Sequence, residues 1–298
     1  MNNTILELIK NSVLLSDGAM GTMLQQNGLP SGHCPEEWNV SHSDIISKIH
    51  RAYYNAGADL VETNTFGGNR YRLDFQGFSD MVYEFNYQGA RIARETCPKQ
   101  KFVAGSVGPT GEFLEPVGNR TFEEMTDVFK EQIEALLSGG IDLVIVETMS
   151  DLQEARAAIS AAKSLKKDLP VISTMTFEKT TNGFHTMMGV TVKQMITELP
   201  AAGADLIGAN CGLGMEEMHD VVAEIRAETK FPLLSQANAG TPVWDGSKNV
   251  YSETPAQRAA AVKKLLTLQP QIIGGCCGTT PEHIAAIREI IDNYMRGN

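Results

Sequence analysis

The sequence has no apolar run approaching the ~20 residues that a membrane span needs, and its opening, MNNTILELIK, lacks the basic flank and apolar stretch of a signal peptide. Both absences lead to the expectation of a cytoplasmic protein. Positive charge is also in short supply. Lys and Arg total 25 against 36 Asp and Glu, a net charge of −11, so the long-range field repels a phosphate backbone and argues against nucleic acid as a partner. There is no low-complexity tract, no collagen period and no sustained heptad, and 42% of residues are hydrophobic, which excludes disorder and fibrous classes. Cysteine is scarce. Five residues (Cys34, Cys97, Cys211, Cys276 and Cys277), an odd number in an intracellular chain, read as thiols or ligands and not as disulfide staples.

What is present is one alternating pattern from end to end. Eight short β-branched runs end in polar or glycine-rich turns, at 12–21, 59–68, 102–111, 142–151, 171–177, 205–214, 232–240 and 272–280, and each is followed by a helical periodicity. The helices are expected over about 43–56, 79–96, 121–139, 151–166, 191–202, 215–229, 254–268 and 281–295. Thr121 and Thr280 precede carboxylate-rich first turns, and glycines close three helices in the phrases Ala56-Gly57-Ala58, Gly139-Gly140-Ile141 and Ala202-Gly203-Ala204. Uninterrupted strand-helix alternation predicts an α/β fold, a (β/α)₈ TIM barrel formed as a single domain over residues 1–298. An open doubly wound sheet would want a GxGxxG fingerprint after the first strand, and Asp17-Gly18-Ala19-Met20-Gly21-Thr22 does not supply one. Segments 22–42, 66–78 and 112–120 are then expected to be loops over the C-terminal face, where barrels carry their chemistry.

The strand ends are polar in every unit: Asp17, Glu62 with Asn64, Ser106, Glu147, Thr174 with Thr176, Asn210 with Cys211, Gln236 with Asn238, and Cys276 with Cys277. Polar residues at strand ends are ordinary where those ends meet solvent, and that accounts well enough for Thr, Ser and Gln. It accounts less well for carboxylates and thiols. Only a closed fold brings Asn210-Cys211-Gly212 together with Gly274-Gly275-Cys276-Cys277-Gly278. Three thiolates suit Zn²⁺, with a fourth position left for a substrate. A vicinal disulfide, buried inert thiols, or a structural zinc completed by His185 or Cys34 are the alternatives.

The ordered set DGAMGT, ETNTFGGN, GSVGPTGEFLEP, VETM, GANCG and GGCCGTTPEHI resembles the homocysteine S-methyltransferase family through nearly the whole chain, and within it is most similar to the cobalamin-dependent, methionine-forming branch. The resemblance implies zinc held by Cys211, Cys276 and Cys277, with the sulfur of homocysteine as fourth ligand. It implies that Asp17 and Glu147 receive the substrate amino group, that Gly18 and Ser106 contact the amino-acid end, and, more remotely, roles for Glu62, Asn64 and Asn238. It further implies methyl transfer to the homocysteine thiol, giving methionine. The folate, cobalamin and reactivation domains of that branch are not visible before the chain ends at Asn298. Methylcobalamin is therefore expected in trans, on a separate corrinoid protein or module. A small donor such as S-methylmethionine is the alternative, while the betaine-using branch fits less well because Phe66-Gly67-Gly68 lacks its tyrosine. Two readings of other classes, a zinc- or redox-sensing barrel and a non-catalytic docking subunit, do not require a substrate cradle.

Overall fold

A computed structural model describes residues 4–181, 183–246 and 249–297; the first three residues of the MNNTILELIK opening lie outside it. We number only the strands and helices of the repeating units. The strands are β1 (Leu14–Leu15), β2 (Leu60–Glu62), β3 (Phe102–Val107), β4 (Leu143–Met149), β5 (Val171–Met175), β6 (Leu206–Asn210), β7 (Leu233–Ala237) and β8 (Ile272–Gly275). The helices are α1 (Ser43–Asn55), α2 (Val82–Thr96), α3 (Phe122–Gly139), α4 (Leu152–Leu165), α5 (Val192–Ala202), α6 (Met215–Glu228), α7 (Pro255–Leu266) and α8 (Pro281–Gly297). All neighbouring strands pair in parallel around the sheet, β1 lies beside β8, and a parallel bridge between Ser16 and Leu60 joins β1 to β2 and closes the barrel. This is the (β/α)₈ arrangement expected from the alternation.

Strand period two divides the core. Leu14, Leu60, Ala104, Leu143, Ile145, Ile172, Leu206, Leu234 and Ile272 form one buried cluster inside the barrel, whereas Leu15, Val61, Val103, Val144, Ile207, Leu233 and Ile273 pack with the surrounding helices. The inner cluster also takes in Ile5 and Ile9, from a short helix at Ile5–Leu8 and the residue that ends it, which meet the barrel at the end opposite the thiols. The local signals read from sequence are present. Thr121 forms a reciprocal capping box with Glu124, worth about 1 kcal/mol for such a cap. Gly57, Gly140 and Gly203 close α1, α3 and α5 with φ of 104°, 99° and 110°, the left-handed region where a side chain is disfavoured.

Three expectations need correction. The run 12–21 is not one strand: β1 spans two residues, and Met20 already begins a helix, Met20–Gln26. Segment 22–42 is therefore largely helical, with further short turns at Pro35–Glu37 and Trp38–Ser41. Segment 66–78 likewise contains the helix Arg70–Phe75, begun by Asn69, whose side chain accepts the Arg72 amide. Two antiparallel hairpins, Glu178–Thr180 with Gly183–His185 and Val243–Trp244 with Asn249–Val250, decorate the carboxyl rim and were not foreseen.

Candidate active site

Continuing the inward-facing parity upward places the rim side chains. Two residues beyond Leu60, Ala104, Ile145, Ile172 and Leu234 come Glu62, Ser106, Glu147, Thr174 and Gln236, so the strands that fill the barrel with aliphatic groups end by turning polar groups into its mouth. A cavity of about 430 Å³ opens there, lined by Gly18, Glu62, Asn64, Ser106 and Glu147 together with Cys211, Cys276 and Cys277. Met20, Phe66 and Leu73 add apolar wall. Asp17 and Asn238, both buried, are not among the lining residues. Asp17 has the opposite parity from Glu62, and its carboxylate is turned sideways to accept the Glu62 backbone amide at 3.0 Å and the Ser16 hydroxyl at 3.2 Å.

The three carboxylates accept their hydrogen bonds from neutral donors. Ser106 Oγ donates to Glu147 Oε1 at 2.6 Å, and Asn210 Nδ2 and Thr148 Oγ1 donate to Glu147 Oε2 at 3.2 and 3.3 Å. Gln236 Nε2 donates to Glu62 Oε1 at 2.5 Å. Burial in this setting penalises the charged form. It pushes the Asp17 carboxyl up to about 8 against the opposing pull of its hydrogen bonds. Burial also raises Glu147, and it raises Glu62 further still with help from the charges of Glu147 and Asp17. A cation placed among these groups would relieve all three.

The thiols converge because the backbone at Cys211 departs from strand geometry. Its φ of 59° is left-handed and reverses the parity that would carry the side chain outward, while its amide still reaches Gln236 O at 3.0 Å. On β8 the chain turns immediately after Gly275: Cys276 N donates to Ala237 O at 2.8 Å, and Cys277 O accepts from Ala239 N at 2.9 Å. The sulfurs of Cys211, Cys276 and Cys277 all lie within 4.8 Å of one another, and Cys211 and Cys277 are 3.8 Å apart. All five cysteines are free. Hydrogen bonds from the Cys211 and Cys276 thiols bring Cys277 down to about 3, while the same neighbours push Cys276 well up. Among the described residues this is the one cluster of potential metal ligands. His185 is instead in the rim hairpin beside Thr180, and Cys34 donates to Glu36 Oε2 at 3.3 Å, so neither completes it.

Glu36 is not among the residues singled out in the sequence. It is buried, lines the cavity, and accepts the Gly67 amide at 2.6 Å, fixing the loop that carries Phe66. Glu62 and Asp17 differ in strand parity, which turns Glu62 into the cavity and Asp17 away from it.

Chemistry gathered at the carboxyl ends of the strands of a closed parallel barrel defines an enzyme architecture. Residues 14–291 match the family profile described as homocysteine S-methyltransferase, and the chain belongs to that family of methyltransferases. It is 31% identical over 309 residues to methionine synthase of Mycobacterium tuberculosis and 33% identical over 311 residues to methionine synthase of Mycobacterium leprae. These alignments cover 98% and 99% of this chain but 26% and 25% of the relatives, so the chain spans about a quarter of their length. Among solved structures, the oxidized form of the homocysteine methyltransferase MmuM from Escherichia coli superposes with a TM-score of 0.80 at 23% identity, covering 96% of this chain and 99% of that one. The metallated form of the same protein gives a TM-score of 0.79 at 23% identity, with coverage of 94% and 96%. Both share the fold.

Proposed function

We propose that the protein catalyses zinc-dependent transfer of a methyl group to the thiol of homocysteine, forming methionine, with methylcobalamin on a separate corrinoid protein or module as donor. The observation that carries this reading is that a thiol triad and a set of cation-seeking carboxylates line one cavity. Sulfurs bound to a tetrahedral zinc at about 2.3 Å stand about 3.8 Å apart, which is the separation of Cys211 and Cys277. The donor set therefore fits zinc, with Cys211, Cys276 and Cys277 as its holders. Bound there, zinc would favour the thiolate form of a thiol ligand at neutral pH, the nucleophilic form that a free thiol of pKa about 8.5 scarcely populates.

The chain's own residues supply the rest. Glu147, fixed by Ser106, Thr148 and Asn210, and Glu62, fixed by Gln236, present carboxylate oxygens to a substrate ammonium. Asp17 acts from behind Glu62, its carboxyl holding a proton until a cation arrives. Gly18 presents its backbone to the amino-acid end, and the walls of Met20, Phe66 and Leu73 exclude water from the thiol. The printed name of the curated relatives, methionine synthase, supports the methionine-forming part of this reading.

The test is methionine formation by the zinc-loaded protein with homocysteine and, in parallel, methylcobalamin, S-methylmethionine or betaine. Turnover with methylcobalamin is expected. Turnover with S-methylmethionine alone would replace the corrinoid donor by a small sulfonium compound, and no methionine with any donor would overturn the proposed reaction.

A further inference from the structure

Among the described residues Arg258 is the largest fully buried side chain, at 0% exposure, and it stands in the first turn of α7, where the helix dipole disfavours a cation. Taking a guanidinium out of water costs several kcal/mol unless its donors are satisfied. The partners it has found are informative. Its terminal nitrogens donate to Ala237 O at 3.3 and 3.4 Å and to Asn238 O at 2.6 Å, and Nη2 reaches Thr279 Oγ1 at 3.5 Å. Ala237 O is also the acceptor of the Cys276 amide. Asn238 and Ala239 follow directly, and Ala239 N donates to Cys277 O. One guanidinium thus ties the exit of β7 to the turn that carries two of the three thiols.

The tie continues on the other side. Arg258 Nε lies 2.6 Å from Glu253 Oε1 in an off-axis charge contact. The Glu253 carbonyl meets His283 Nε2 at 2.8 Å, and His283 Nδ1 accepts the Thr280 amide at 3.2 Å. Because Nδ1 is an acceptor, Nε2 carries the hydrogen and donates to Glu253 O. The chain Ala237–Arg258–Glu253–His283–Thr280 therefore runs beneath Cys276 and Cys277 and grips their turn from both ends.

We infer that Arg258 is a positioning residue for the metal-binding thiols: its fork, completed by Glu253 and His283, holds the Cys276–Cys277 turn against β7 at ligating distance from Cys211. This rests on the proposed zinc site. Groups that orient metal ligands from outside commonly govern affinity by about 10- to 100-fold.

The experiment uses the whole chain as Arg258→Met, Arg258→Lys and His283→Gln variants. Three quantities are measured: Zn²⁺ affinity by chelator competition, the absorption spectrum of the Co²⁺-loaded protein, and the urea midpoint of the metal-free form. Arg258→Met is expected to lose about 10- to 100-fold in zinc affinity and to shift the Co²⁺ bands, with Arg258→Lys recovering part of both. His283→Gln should lower affinity in the same direction. If Arg258→Met does not fold, the His283→Gln result decides. A folded Arg258→Met protein with wild-type zinc affinity and Co²⁺ spectrum overturns the inference, as does unchanged metal binding in His283→Gln when Arg258→Met is unfolded. Wild-type protein that fails to bind either metal removes the zinc reading itself. Wild-type protein that binds zinc yet forms no methionine removes the proposed reaction and leaves the role of Arg258 to be judged on affinity alone.

Discussion

The Asp17 carboxylate accepts the backbone amide of Glu62 at 3.0 Å, so the first acidic residue of the rim supports the second instead of facing the cavity. The two residues, similar in chemistry, consequently have different work to do. Glu147→Gln and Glu62→Gln each remove a charged acceptor from the cavity wall and should weaken homocysteine binding by about 10- to 100-fold, the worth of a hydrogen bond to a charged group. Zinc content should not change. Asp17→Asn, acting at one remove, should weaken binding clearly less. Calorimetric titration of homocysteine into the three zinc-loaded variants makes the comparison, and equal losses at Asp17 and Glu62 would contradict the geometry.

The pH dependence of stability has a definite sign. Asp17 rises from 3.8 in its unperturbed state to about 8 in the fold, because burial penalises its charge. Between those values the folded chain binds the proton and the unfolded chain does not, so unfolding free energy falls as pH rises through this window. Glu62 and Glu147 are raised as well and act in the same direction. The urea midpoint of the ligand-free protein should be higher at pH 5 than at pH 8, and Asp17→Asn should narrow that difference.

Cys276→Ala removes one thiol of the triad and should abolish zinc binding and turnover together, since two remaining thiolates leave a divalent ion underligated. Cys97→Ser, away from the cluster, should retain both. Metal analysis alongside the methionine assay reads this directly, and a zinc-replete, active Cys276→Ala protein would remove the triad from the site.

A methyl group at Gly18 would come within 2.6 Å of Thr279 O and 2.9 Å of Thr279 Cγ2. Thr279 O also accepts the Ala19 amide at 3.0 Å. Gly18→Ala should therefore cost about 1–3 kcal/mol, the usual penalty for overpacking, visible as a lower urea midpoint. Because Thr279 follows the thiol turn, zinc affinity should fall with it.

The barrel was legible in the sequence because each unit repeats the same local physics: a β-branched run, a polar turn, a capped amphipathic helix and, in three units, a closing glycine. The thiol triad was legible because cysteine is scarce here and glycines flank it. Other features were hidden for identifiable reasons. Met20 lies within a run whose apolar character suits either a strand or the helix it actually starts, and short apolar runs do not distinguish the two. Strands buried on both faces show no hydrophobic alternation, so Asp17 and Glu62 look equivalent until the inner cluster sets the parity. Glu36 and Arg258 have the composition of surface positions, and only the tertiary fold closes over them.

Asn210 links the carboxylates to the thiols, through its side chain on one side and through the next peptide on the other. Its Oδ1 accepts the Thr148 amide at 2.8 Å and the Thr174 hydroxyl at 2.7 Å, its Nδ2 reaches Glu147, and the next residue along the chain is Cys211. The amide is pinned on both of its polar atoms, so the span from the carboxylate to the metal-binding sulfur behaves as a ruler of fixed length. On the proposed reading, that ruler measures the substrate's carbon chain: homocysteine reaches from one mark to the other, and cysteine, one methylene shorter, does not. Competition between the two amino acids for the zinc-loaded protein gauges the ruler, and removing the pinned amide through Asn210→Ala should blunt the discrimination.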